Sequence, residues 1–236
     1  MRTLSIIIPA YNEEEHIVRN VLSVVNSMYN QRYHTQIIIV DDGSTDNTLR
    51  EVCKYFEQVQ GFIILHNLTN LGKGGAIKAG IQRASGEHIA FIDADLDITP
   101  VQIRLLLDIM ELENADAVIG SKLHPCSLVN YPVNRRVLSM GYYWFIKILF
   151  GLKCHDTQTG LKLFKAAAVK NAIVDTNGFI FDLELLVNLY KMGYKIAEAP
   201  VKLKSQRKYI DKKARIGPRI VWRMTRDTIK LWRKIK

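Results

Sequence analysis

The chain predicts an α/β protein built on a mostly parallel, Rossmann-like sheet with helices on both faces. Three observations carry this. Short β-branched runs alternate with amphipathic stretches through the first half of the 236 residues, the pattern of parallel strands joined by crossover helices. Polar residues cluster directly after the expected strands, where ligands bind in such sheets. The length supplies ample core for one large domain.

Residues 4–8 read as a buried first strand. Asn12 is expected to cap the next helix, with Glu15 completing a capping box. That helix runs to Met28 and turns Ile17, Val21, Val24, Val25 and Met28 to one side. Residues 36–40 form the second strand, ending at Asp41 and Asp42. A turn through Gly43, Ser44, Thr45 and Asp46 opens a helix over 48–59. Residues 62–65 are the third strand, and the loop Asn70, Leu71, Gly72, Lys73, Gly74, Gly75 opens a helix that ends near Ala84. The fourth strand spans 88–92. Thr99 is expected to cap the following helix, with Pro100 at its first position and Gln102 at the capping-box site. A fifth strand covers 116–120. The second half is less regular.

The strongest chemical signal is Phe91, Ile92, Asp93, Ala94, Asp95, Leu96, Asp97. An apolar run stops and delivers three carboxylates at alternate positions, which an extended chain points to one side. Convergent carboxylates repel one another unless a cation sits among them, and hard oxygen ligands suit Mg²⁺ or Mn²⁺. The usual further partner of such an ion is a phosphate, so the chain is expected to handle a nucleotide diphosphate.

Other segments carry two readings each. Pro9, Ala10, Tyr11 and Glu13 at the first strand end could stack on a base and accept from a base or ribose, or could punctuate a helix. Asp41 and Asp42 could read a base edge or cap the following turn. Lys73 and the open amides of the glycine turn suit a phosphate, although the spacing is not that of a Walker loop. Lys122 follows the fifth strand, and Arg135 and Arg136 precede an apolar segment over 137–150. That segment is shorter than the ~20 residues that span a bilayer. It reads as a core helix or as an interface helix carrying Tyr142, Tyr143 and Trp144 at headgroup depth.

Charge is uneven. From Lys202 onward there are 14 Lys/Arg against 2 Asp/Glu, a net +12, whereas the remainder is −2. Basic residues Arg219, Arg223, Arg226, Lys230 and Arg233 form one stripe. Val221, Met224, Thr228, Leu231 and Ile235 form another roughly opposite. A basic amphipathic helix with tryptophans suits an anionic membrane face, or a helix packed on the body with a solvated basic side. No motif supports nucleic acid as a partner. Cys53, Cys126 and Cys154 form no CxxC pair, and the six histidines show no metal spacing. The short N-terminal apolar run is not a signal peptide.

Seven stretches, taken in order, resemble family 2 inverting glycosyltransferases with the A-type glycosyltransferase fold, nearest in kind to polyprenyl- and dolichyl-phosphate hexose synthases. They are IIIPAYNEE from Ile6, VDDGSTDNT from Val40, NLGKG from Asn70, DADLD from Asp93, GSK from Gly120, DTQTGLKLF from Asp156 and GFIFDLELL from Gly178. The last two look more like glucose-type than mannose-type synthases. The resemblance implies that Pro9, Tyr11, Glu13 and Asp41 hold the nucleoside, with Ala10, Asp42, Lys73, Asp93 and Ala94 completing the nucleotide-sugar site. It implies metal binding by Asp93, Asp95 and Asp97, of which Asp97 stands where mannose synthases often carry Gln. Lys122, Arg135, Arg136 and Arg207 would grip an acceptor phosphate. Asp95, Lys122 and Asp156 would be catalytic.

The expectation is therefore metal-dependent, inverting transfer of a hexose, glucose before others, from a UDP-sugar to a polyprenyl or dolichyl phosphate. The alternative is transfer to a saccharide hydroxyl, with Asp156 or Asp182 as base. Residues 1–203 are expected to be catalytic and 204–236 a basic membrane-associating tail. The protein is expected at the cytoplasmic membrane face as a peripheral protein without a transmembrane helix, with room for a separate membrane protein as partner.

Overall fold

A computed structural model describes residues 2–29, 33–129, 133–178, 180–204 and 218–235, and of 133–135 and 218–220 the backbone alone. Seven strands form one sheet in the order β3-β2-β1-β4-β6-β5-β7. They are β1 (Arg2–Ala10), β2 (Tyr33–Asp41), β3 (Phe62–His66), β4 (His88–Phe91), β5 (Ala117–Ser121), β6 (Lys162–Lys165) and β7 (Ile196–Pro200). All pair in parallel except β6, which runs antiparallel to both neighbours.

Strand side chains alternate between two cores, as period two requires. Leu4, Ile6 and Ile8 of β1 join Ile37 and Ile39 of β2 on one face. Helices α1 (Ile17–Met28), α2 (Thr48–Phe56) and α4 (Gln102–Leu112) cover that face. Ile7, Ile38 and Val40 point to the other. There α3 (Lys73–Arg83), α5 (Val133–Phe150), α6 (Ala166–Asn171), α7 (Phe181–Lys191) and α8 (Pro218–Ile235) supply the cover. Among the described residues, no helix is long and apolar enough to cross a membrane.

Two caps differ from expectation. Asn12 does not cap α1. It lies at φ 55°, and its Oδ1 accepts from the Thr45 N–H at 2.9 Å, so its short polar side chain ties the first strand end to the second. Thr99 lies ahead of α4, and the Gln102 side chain donates to the Thr99 hydroxyl at 2.8 Å. The same carboxamide pairs with the backbone of Lys202 in both directions, fastening the chain after β7 to the start of α4.

The C-terminal helix uses its apolar stripe on the protein itself. Thr228 and Leu231 are buried, and the Tyr142 hydroxyl of α5 pairs with that of Thr228 at 3.0 Å. Lys234 reaches Glu184 of α7 at 3.0 Å. In α5, Tyr143 is buried as well, so the three aromatics do not share one outward face. Trp144 points outward, 52% exposed, beside Val137 and Ile148 at 64% and 79%. Trp222 on α8 is 64% exposed and carries Arg226 over its ring.

Candidate active site

The sheet order decides which residues meet. β1 lies between β2 and β4, so Ala10, Asp41 and the chain after Phe91 end side by side. The connections diverge from β1, which opens a crevice at these C-terminal ends. Because β6 is reversed, it begins where its neighbours end. The loop from Asp156 to Gly160 therefore reaches the same edge, next to Lys122 after β5.

Asp41 is fully buried at the end of β2. Its Oδ2 accepts from the Ser44 N–H and pairs with His66 Nδ1 at 2.9 Å. Its Oδ1 is buried and has no partner among the described residues. A buried carboxylate oxygen without a donor is costly, so this atom is a ready acceptor for a ligand N–H. Tyr11 is exposed beside it, and the Glu13 N–H is tied to Thr48. Asp42 has a structural role: its carboxylate accepts from the Leu71 and Gly72 amides and the Asn67 side chain, holding the loop before α3.

The glycine turn also departs from expectation. The Gly74 and Gly75 amides donate to the Asn177 carbonyl, at 2.8 and 3.3 Å, so they are not open to a phosphate. Lys73 turns instead to Asp93, with Nζ 2.6 Å from Oδ1, and lies 3.9 Å from Asp182 Oδ2. Asp182 is bonded on its other oxygen to Lys162 at 2.6 Å. Lys162 is 1% exposed, and its ammonium also donates to the Thr159 carbonyl. Burial would raise the Asp93 carboxyl, but Lys73, then Lys162 and Lys122, hold it below the usual aspartate range. Burial would lower Lys73, and Asp182 and Asp93 outweigh it and push the ammonium up. Lys162 goes down, because desolvation exceeds the pull of Asp182.

The three acids after β4 are not on an extended strand. Residues 93–97 form a turn, closed by the Leu96 N–H to the Asp93 carbonyl at 3.1 Å. Leu96 sits at φ 49° and is buried. A branched side chain there is an outlier, held by its burial in the core. The Asn20 carboxamide pins the Ala94 carbonyl from below at 2.8 Å. The expected three-carboxylate cage does not form, since among the described residues no three Asp, Glu, His or Cys side chains are placed to hold an ion. Asp93, Asp95 and Asp97 do line one small cleft of about 60 Å³, together with Lys122, Gln158 and Gly160. Gln158 brings a buried Nε2 with no partner among the described residues. Hard carboxylate oxygens beside a lysine and the Gln158 carboxamide N–H fit a Mg²⁺ or Mn²⁺ held by one or two acids and completed by a diphosphate.

Asp156 braces this cleft. Its two oxygens accept from the Lys122 and Gln158 amides, at 3.0 and 3.2 Å. Glu198 on β7 supports it by accepting from the His155 and Asp156 amides. The neighbouring Cys154 thiol is buried and pushed up to about 12, so it is inert. Arg136 is exposed on the first turn of α5. The Arg135 side chain and all of Arg207 lie outside the described residues.

Sequence reasoning left out His66, Gln158, Gly160, Lys162 and Glu198. A lysine between Leu161 and Leu163, in an apolar run that continues to Phe164, was a usable signal for Lys162. Gly160 had none: a Cβ there would fall 1.9 Å from Asp93 Oδ2, a contact visible only in three dimensions.

Comparison with known proteins bears on the family and the fold. The profile of Glycosyl transferase family 2 matches residues 5–172. A dolichyl-phosphate beta-glucosyltransferase of Trichomonas vaginalis is 32% identical over 210 residues, covering 84% of this chain and 64% of that protein. One of Saccharomyces cerevisiae is 32% identical over 222 residues, covering 84% and 66%. The chain thus spans about two thirds of the length of these relatives. Among solved structures, glucosyl-3-phosphoglycerate synthase of Mycobacterium tuberculosis in complex with UDP superposes with a TM-score of 0.70, at 18% identity, over 98% of this chain and 79% of that one. The fold is that of the A-type glycosyltransferases. With its profile covering most of the sequence and its strand ends carrying the site, the chain belongs to glycosyl transferase family 2.

Proposed function

We propose that this protein transfers glucose from UDP-glucose to a polyprenyl or dolichyl phosphate, with inversion at the sugar, as a peripheral protein on the cytoplasmic face of a membrane. The observation that carries the reading is the cleft lined by Asp93, Asp95 and Asp97 together with Lys122 and Gln158. The dolichyl-phosphate beta-glucosyltransferases that the chain resembles support the choice of sugar and acceptor.

Asp41 Oδ1 accepts the imide N–H of the base, and Tyr11 stacks on it. Asp95, with one of its neighbours Asp93 and Asp97, would hold Mg²⁺ or Mn²⁺, which when bound supplies positive charge to the leaving diphosphate. Lys122, and Arg136 at the mouth of α5, draw in the acceptor phosphate. That acceptor is already an anion at neutral pH and needs no strict general base. The engagement of both candidate bases supports a phosphate acceptor over a saccharide hydroxyl: Asp156 by two amides, Asp182 by Lys162. Asp156 then acts by positioning Lys122.

Membrane contact is assigned to the outward face of α5, with Val137, Trp144 and Ile148, and to the basic side of α8 with Trp222. Tryptophan beside cationic side chains suits a headgroup layer with anionic lipid. Incubating the protein with UDP-glucose, GDP-mannose and other nucleotide sugars, a short polyprenyl phosphate and Mn²⁺ tests the whole reading. Glucosyl lipid from UDP-glucose is expected; no lipid product from any donor, or equal rates with a chelator present, overturns it.

A further inference from the structure

Lys73, Asp182 and Lys162 form a charge relay behind Asp93 that the proposed transfer does not by itself require. The Lys73 ammonium sits on Asp93 at 2.6 Å and has a second carboxylate, Asp182, at 3.9 Å. Asp182 cannot follow Asp93 outward, because it is buried on α7 and bonded to Lys162 on β6. Lys162 is in turn fixed by the Thr159 carbonyl. The four groups carry two positive and two negative charges. An arriving cation at Asp93 would raise that sum and meet the Lys73 charge at close range.

We infer that Lys73 is a resident counter-ion that occupies Asp93 in the donor-free protein and is handed to Asp182 when a divalent cation and a nucleoside diphosphate bind. Lys73 and Asp182 are then positioning residues, and Lys162 is the anchor that keeps Asp182 in place to receive the ammonium. About a third of the Lys73 side chain is exposed, and its long stem can move its head between the two carboxylates without backbone change. The consequence is ordered binding: the ion is weakly held until the diphosphate brings further negative charge. This rests on the metal-dependent reading above.

The test is Mn²⁺ binding, read by the loss of free-ion paramagnetic resonance signal, with and without UDP, on the full chain. Wild type should bind Mn²⁺ much more tightly with UDP than without. Lys73→Met should raise nucleotide-free affinity by at least about tenfold, because the competing charge is gone; Lys73→Arg should not. Asp182→Asn should weaken nucleotide-free binding in wild type and have little effect in the Lys73→Met background. That non-additivity separates hand-over from a simple field effect. Melting curves identify variants that fail to fold, and Lys73→Gln then replaces Lys73→Met. Equal nucleotide-free affinity in wild type and Lys73→Met, or an Asp182→Asn effect that persists without Lys73, overturns the relay alone. No Mn²⁺ binding by wild type even with UDP overturns the metal reading and the relay together.

Discussion

At the ends of β1, β2 and β4, the polar groups close a strand or follow it, whereas at β6, β7 and α7 the polar groups belong to the elements themselves and act through one another. Asp41 and the 93–97 turn face the crevice because their strands stop there. Lys162, Asp182 and Glu198 are buried or half-buried and act on the crevice through Lys73, the Thr159 carbonyl and Asp156. The first region presents groups to a ligand, and the second fixes where those groups point. In a tightly packed interior, small displacements behind a site become losses at it.

The contrast can be broken at several points. Asp95→Ala removes a group of the first region and should lower glucosyl transfer by roughly 10²–10³-fold in a radiolabelled lipid assay; wild-type rates would reassign the cleft. Gly160→Ala belongs to the second region. Its new Cβ would meet Asp93 Oδ2, the movable tip of a side chain, so the fold survives and Asp93 shifts. A fall in kcat of about 10²-fold with an unchanged Tm is expected, and unaltered kcat would show that Asp93 orientation is immaterial. Lys122→Ala should raise KM for polyprenyl phosphate about tenfold and KM for UDP-glucose far less. Equal effects on both substrates would move Lys122 to the donor.

Glu184 sharpens the second region alone. Burial would raise its carboxyl, but hydrogen bonds from Thr176 and Lys234 outweigh that and lower it. A folded-state value below the unfolded one stabilises at neutral pH, and the gain is lost as pH falls through and below the ordinary glutamate range. Glu184→Gln should cost about 1 kcal/mol at pH 7, and the gap to wild type should close in acid. A gap independent of pH in chemical denaturation would contradict the ion pair. Least in size, Trp144→Ala should weaken binding to vesicles containing anionic lipid by about threefold. Unchanged vesicle binding would remove α5 from the membrane-facing surface.

The first region was legible because its signals are local. Five predicted strands fall within the observed ones or overrun them by one residue, and the acid cluster, Asp41 and Lys122 all reach the crevice edge. Where local signals compete, the structure departs from the sequence expectation. Asn12 looked like a helix cap but serves the second loop, and the glycine turn looked open but is closed by the Asn177 carbonyl. The tail helix showed an apolar stripe, yet nothing in its sequence says whether lipid or α5 covers it. Thr228 and Leu231 are covered by the protein.

Sequence alone determined the strand–helix alternation, the family and the set of acids and cations at the strand ends, since periodicity and short motifs encode those within a few residues. Tertiary structure decided that the acids sit on a turn and not on a strand, that Lys73 pairs with Asp93, and that Lys162 and Asp182 stand behind both. These pairings join residues 20 to 109 positions apart, and they exist because a reversed β6 and a buried α7 carry Lys162 and Asp182 into the interior, where each must find a partner, behind the part-exposed Lys73 and Asp93.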